Sequence, residues 1–119
     1  MADVTIKRFD ELESYKAEGR FRYAAKSLGV SAWGMNILNL PPQWNDYPEH
    51  DHERDGQEEV YLVLEGSAQM QAGSETFTLE PGLLARVGAG QKRKIVPGPN
   101  GVTLLALGGT PGKAYAPRS

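Results

Sequence analysis

His50 and His52 are the only histidines of the chain, two residues apart and just upstream of Glu59, in the run His50-Asp51-His52-Glu53-Arg54-Asp55-Gly56-Gln57-Glu58-Glu59. In an extended backbone alternate side chains share a face, so this spacing aims both imidazoles at one point. Two imidazoles and a nearby carboxylate are the ligand set of a zinc or non-haem iron centre. A buried metal or small-molecule pocket is therefore the leading expectation. The chain has no cysteine, so any metal must be held by nitrogen and oxygen, and neither a thiolate site nor a disulfide can form.

The elements that must position these groups read as short strands. From Gly34 onward, apolar stretches cut by glycine and proline predict strands over 35–40, 59–64, 68–71, 76–79, 83–87, 94–96 and 102–107. Val60-Tyr61-Leu62-Val63-Leu64 is apolar on both faces, as a central strand would be, and Glu65-Gly66 predicts a hairpin turn into 68–71. Near the start, Asp10 is placed to cap a short helix over 11–17, with Glu13 completing a capping box and Gly19 ending it. A length of 119 residues suits one domain that buries about two thirds of its unfolded surface. The expected class is an all-β sandwich or barrel with no internal repeat and no domain boundary.

The spacing of the key residues resembles the cupin family, whose fold is a double-stranded β-helix, or jelly-roll barrel, with a ligand pocket in its mouth. The resemblance covers residues 44–97, flanked by an N-terminal extension over 1–33 and a Gly/Pro-rich tail over 108–119. The family's first motif has His-x-His, then a Glu, then a Gly seven residues on, matched by His50, His52, Glu59 and Gly66. The gap from His52 to Glu59 is two residues longer than usual, with Gly56 in its middle, and Trp44 stands where an opening Gly belongs. Counting from His52 puts the acid near Gln57. Counting back from Gly66 picks Glu59, which leads directly into the strand. The second motif aligns from Gly82 through Gly90, but Gly88 replaces a Pro, Arg93 replaces a His and Pro97 replaces an Asn. The family's usual metal is held by three His and one Glu, and a guanidinium has no free lone pair with which to replace the missing ligand.

Two readings of a pocket built from His50, His52, Glu59 and Arg93 stay open. In one, the first three hold a divalent transition metal (Fe, Zn, Mn or Ni) with open positions, and Arg93 clamps an anionic substrate, as in a metal-dependent oxygenase or isomerase. In the other, no metal binds, Arg93 pairs with Glu59 in the ion's space, and the histidines serve a polar ligand in a metal-free binding or sensing module or an isomerase-like enzyme. A degenerate structural cupin is a third alternative. Tyr61 shares strand parity with Glu59 and is expected to line the pocket as a ligand-binding residue or to pack in the core. Trp44 and Tyr47, beside Pro41-Pro42 and Pro48, are read as a lid or a dimer contact. Cupins of this size commonly pair through sheet edges, so the resemblance implies a homodimer.

Other partners are excluded. A net charge of −2 gives no field for nucleic acid. In Lys92-Arg93-Lys94, strand alternation sends the lysines outward and Arg93 inward. The acidic run partly matches a calcium loop, but Leu62 sits where the bidentate Glu belongs. The stretch from Gly108 to Lys113 lacks the first Gly and the Ser or Thr of a phosphate loop. The N-terminus has no apolar signal-peptide core, and no apolar run approaches the roughly 18 residues of a membrane span, so a soluble cytoplasmic protein is expected.

Overall fold

The computed structural model describes residues 2–116. Its elements are β1 (Phe21–Tyr23), α1 (Ala24–Leu28), β2 (Gly34–Leu40), β3 (Glu58–Ala72), β4 (Glu75–Leu79), β5 (Leu84–Val87) and β6 (Lys94–Gly109). All pairings are antiparallel, in the order β1-β2-β6-β3-β4, with β5 alongside the first half of β3. No helix among the described residues is long and apolar enough to cross a membrane.

The expected strands are present, but two pairs of them fuse. Residues 59–64 and 68–71 belong to one continuous β3, and 94–96 and 102–107 to one β6. Glu65-Gly66 does not reverse the chain. It lies where the β3–β6 register slips, between Val63 and Glu65 and again between Gly66 and Ala68. Gly66 has φ 78°, and a Cβ there would collide with the Gly101 carbonyl. The glycine therefore marks the close crossing of two bulged, bent strands. The hairpin turn itself falls at Gly73, φ 63°, between β3 and β4.

The bend lets one sheet close over a core in which Leu40, Tyr61, Ile95 and Leu104 are fully buried. A smaller cluster of Leu12, Ala24 and Ile37 covers the opposite face of β2. This cluster explains why the helix expected over 11–17 does not form. Two 3-10 turns, Phe9–Glu11 and Tyr15–Ala17, flank an extended link in which the Glu13 carbonyl accepts from Tyr23 N–H at 2.8 Å. Burying Leu12 is worth roughly 2 kcal/mol, against about 1 kcal/mol for a helix cap, so packing overrides the local signal. The one α-helix among the described residues comes later, at Ala24–Leu28, and ends on Gly29 in the left-handed conformation, φ 81°.

Candidate metal centre

The link between β2 and β3 runs antiparallel to residues 89–93. His50 N–H donates to Arg93 O at 3.0 Å and Arg93 N–H returns to His50 O at 2.9 Å, while His52 N–H donates to Ala89 O at 2.7 Å. This pairing holds residues 50–52 extended, so His50 and His52 face the same way and Arg93 lies directly opposite His50. Glu59, the second residue of β3, faces them. The imidazole Nε2 atoms lie 3.7 Å (His50) and 3.2 Å (His52) from Glu59 Oε1. All three ligand atoms fall within 4.8 Å of one another.

The outer nitrogens of both rings are already engaged. His50 Nδ1 meets the Pro48 carbonyl at 3.0 Å, and His52 Nδ1 meets both oxygens of Asp55 at 3.2 Å. Both partners are acceptors, so each ring carries its proton on Nδ1 and turns its Nε2 lone pair toward Glu59. Two lone pairs facing a carboxylate repel it unless a cation stands between, either a proton on each ring or a metal ion. Asp55 is placed by the two extra residues of the first motif. Gly56, φ 70°, closes a turn in which Gly56 N–H donates to His52 O at 2.7 Å and Gln57 N–H to Asp55 Oδ1 at 3.1 Å. Gln57 thus orients Asp55, and Glu59 is the acid that joins the histidines.

Glu59 Oε1 also accepts from the Tyr61 hydroxyl at 2.7 Å, and Tyr61 Oη lies 3.3 Å from Tyr47 Oη. Tyr47 is neither lid nor exposed contact. It is buried, its ring is stacked against Phe21 with centroids 6.3 Å apart, and it touches His50. Trp44 packs edge-on against Phe21 at 5.9 Å. His50, His52, Glu59, Tyr61 and Tyr47 surround a cleft of about 350 Å³ whose other walls are Phe21, Leu38, Pro48 and Ala106, with Asn36 as a further polar group. An open depression along Lys7–Asp10 carries none of these donors. Asp55, Tyr47, Phe21 and Asn36 were not legible as site residues. The nearest sequence signal was the Asp55-Gly56 insertion between His52 and Glu59.

Arg93, where the motif resemblance would place a third histidine, does not reach the cleft wall. Its side chain is fully buried, with Nη2 donating to Gly88 O at 3.1 Å and Nη1 3.7 Å from Glu59 Oε1. Nε and Nη1 have no hydrogen-bond partner among the described residues. The guanidinium therefore backs the carboxylate from beneath.

Charge tunes the cluster. Burial alone would raise the Glu59 carboxyl, but when protons rather than a metal ion stand between it and the facing His50 and His52 rings, those rings and the Tyr61 hydroxyl outweigh burial and hold the group well below the usual carboxylate range. The hydrogen bond to Glu59 raises His52 above its ordinary 6.5 against the opposing effect of burial, with Asp55 adding to the rise. Burial pushes the Tyr47 hydroxyl up to about 12 and raises Tyr61 as well, so both stay protonated. In metal-free protein His52 contributes its full stability below pH 6.5 and loses it as pH rises through its raised folded-state pKa. A bound ion competes with those same protons and binds more tightly as pH rises. The melting-temperature increase caused by added Mn²⁺ is therefore expected to grow from roughly pH 6 to pH 9. An increase that is flat across that range would show that the ion does not compete for these nitrogens.

The donor set fits one first-row divalent ion. Ligand atoms about 2.1 Å from a shared ion lie roughly 3.0–3.4 Å apart, close to the observed 3.2 and 3.7 Å.

No family model and no curated protein matches the sequence. Solved structures do. The chain is similar to a cupin protein from Bacteroides fragilis at 18% identity and TM-score 0.75, over 99% of this chain and 93% of that one. It is similar to a sugar phosphate isomerase of the cupin superfamily from Silicibacter pomeroyi at 23% identity and TM-score 0.67, over 82% of this chain but 59% of that one. A DMSP lyase from Ruegeria pomeroyi aligns at 21% identity and TM-score 0.59, over 71% of this chain and 42% of that one. The bent antiparallel sheet is thus the cupin fold, as the motif resemblance implied.

Proposed function

We propose that the chain is a metal-dependent enzyme that binds a small polar metabolite in its barrel, with a divalent transition metal held by His50, His52 and Glu59. The observation that carries this reading is the pair of acceptors on the two Nδ1 atoms, because that arrangement prepares both Nε2 atoms as neutral ligands. Two of the similar structures, a sugar phosphate isomerase and a DMSP lyase, support an enzyme on this fold. When bound, such an ion supplies a Lewis acid that polarises an oxygen of the ligand. The chain's own residues do the rest. Asp55 orients His52, Tyr61 holds Glu59 by its hydroxyl, Arg93 balances the Glu59 charge, and Phe21, Leu38, Pro48 and Ala106 exclude water from one wall. An isomerase- or oxygenase-type reaction suits such a centre. The test is equilibrium dialysis against Fe, Zn, Mn and Ni followed by elemental analysis. About one ion per chain is expected, and protein that ignores all four metals would sink the proposal.

One observation favours the metal-free binding module, namely the Arg93 guanidinium 3.7 Å from Glu59 Oε1. Under that reading metabolites alone would raise the melting temperature. The cleft of about 350 Å³ speaks against a purely structural cupin, in which Tyr61 or an Arg93–Glu59 pair would close it.

A homodimer is the oligomeric state we propose, formed with a second copy of the chain. Leu84, 74% exposed, pairs with Leu62 on the outer face of the sheet, and Val4 and Ile6 stand 69% and 87% exposed on the N-terminal segment. One chain thus offers both an uncovered apolar face and an uncovered apolar segment, which a two-fold partner covers together. Sedimentation is expected to show a dimer that Leu84→Glu dissociates, and a monomeric parent would refute the pairing.

A further inference from the structure

The direction of one hydrogen-bond chain restricts what the cleft accepts. Tyr61 donates its single hydroxyl proton to Glu59 Oε1 at 2.7 Å. Tyr61 Oη can then only accept from Tyr47 Oη at 3.3 Å, which uses the single proton of Tyr47. Tyr47 lines the cleft and has only lone pairs left to offer. A ligand group that meets it must be a donor.

The neighbouring centre asks for the opposite. Among the described residues Glu59 is the only acidic one of the cleft wall, and Arg93 balances it from beneath. A divalent ion on His50, His52 and Glu59 leaves net positive charge, which favours an anionic oxygen. The Tyr47 and His50 rings are 5.6 Å apart, so acceptor and centre are within reach of one small molecule. The remaining wall, Phe21, Leu38, Pro48 and Ala106, is apolar.

From this juxtaposition we propose that the ligand is a small hydroxy acid. Its carboxylate sits at the His50/His52/Glu59 centre, its hydroxyl donates to Tyr47 Oη, and its apolar part rests on Phe21 and Leu38. An ammonium in place of the hydroxyl would put a further cation near Arg93. The inference rests on the metal centre proposed above, and its test separates the two.

Protein loaded with Mn²⁺, its occupancy measured by elemental analysis, would be titrated calorimetrically with mandelate, phenylacetate and mandelamide. These probes differ in turn by the hydroxyl and by the charge. Mandelate is expected to bind about tenfold more tightly than phenylacetate, the effect of one hydrogen bond, and about tenfold or more tightly than the neutral amide. Tyr47→Phe is expected to collapse the first ratio to about one while leaving the second. Equal affinities in the parent would overturn the ligand class, whether or not the variant folds. A hydroxyl preference that survives Tyr47→Phe would also overturn it, since the hydroxyl would then be chelating the ion. An unloaded centre would sink the metal reading and this inference together, whereas full occupancy with no preference would sink this inference alone.

Discussion

His50→Ala is expected to lower transition-metal affinity at least about a hundredfold, leaving the purified protein metal-free. Three donors converge on one point in the parent, and the variant keeps only His52 and Glu59, both in contact at 3.2 Å. The two remaining donors cannot define a first-row metal site of three protein ligands with open positions. The fold should survive, because His50 is partly exposed and its backbone pairing with Arg93 does not depend on the imidazole. Asp55→Ala makes a finer comparison. It removes an orienting contact and no ligand, so a loss of roughly 10–100-fold is expected. Elemental analysis and competitive titration with a chromogenic chelator would measure both variants. Unchanged metal content in His50→Ala would remove His50 from the centre and end the metal assignment.

Arg93→His carries the second large effect, in the opposite direction. The variant replaces a fully buried cation, 3.7 Å from Glu59 Oε1, by a neutral group that has a lone pair. An ion held by Glu59 would share the low-dielectric surroundings of that guanidinium, and two cations so placed repel each other. Loss of that repulsion together with gain of a fourth ligand should therefore tighten metal binding by at least about a hundredfold. The position is suitable because backbone hydrogen bonds of 3.0 and 2.9 Å set residue 93 opposite His50. A parent that ignores metal and a variant that binds it would favour the metal-free reading of the natural chain. A variant no tighter than a metal-binding parent would show that the guanidinium does not oppose the ion, and the electrostatic account given above would fail.

Similar solved structures at 23% identity or less establish the fold, and a fold that hosts many chemistries does not choose among them. What this chain adds is local: an arginine at the third ligand position, a two-residue insertion carrying Asp55, and two tyrosines hydrogen-bonded in series to the acid.

By itself the sequence determined the all-β class, the grouping of His50, His52 and Glu59, and the inward turn of Arg93. These follow from two-residue alternation and motif spacing, which are properties of neighbouring positions in the chain. Tertiary structure alone decided the rest. Glu65-Gly66 reads as a turn in isolation, yet it becomes a bulge because β6 crosses there and the Gly101 carbonyl takes the space of a side chain. Residues 11–17 have helix caps, yet Leu12 is drawn into a cluster with Ala24 and Ile37. Arg93 points inward as expected, but whether it meets a ligand or backs Glu59 depends on depth, and depth is set by how far the sheet closes. Tyr47 and Asp55 join the site through contacts with Tyr61 and His52 that arise only when β3 and the preceding link pack together. Such contacts depend on distance in space, which periodicity along a chain does not encode.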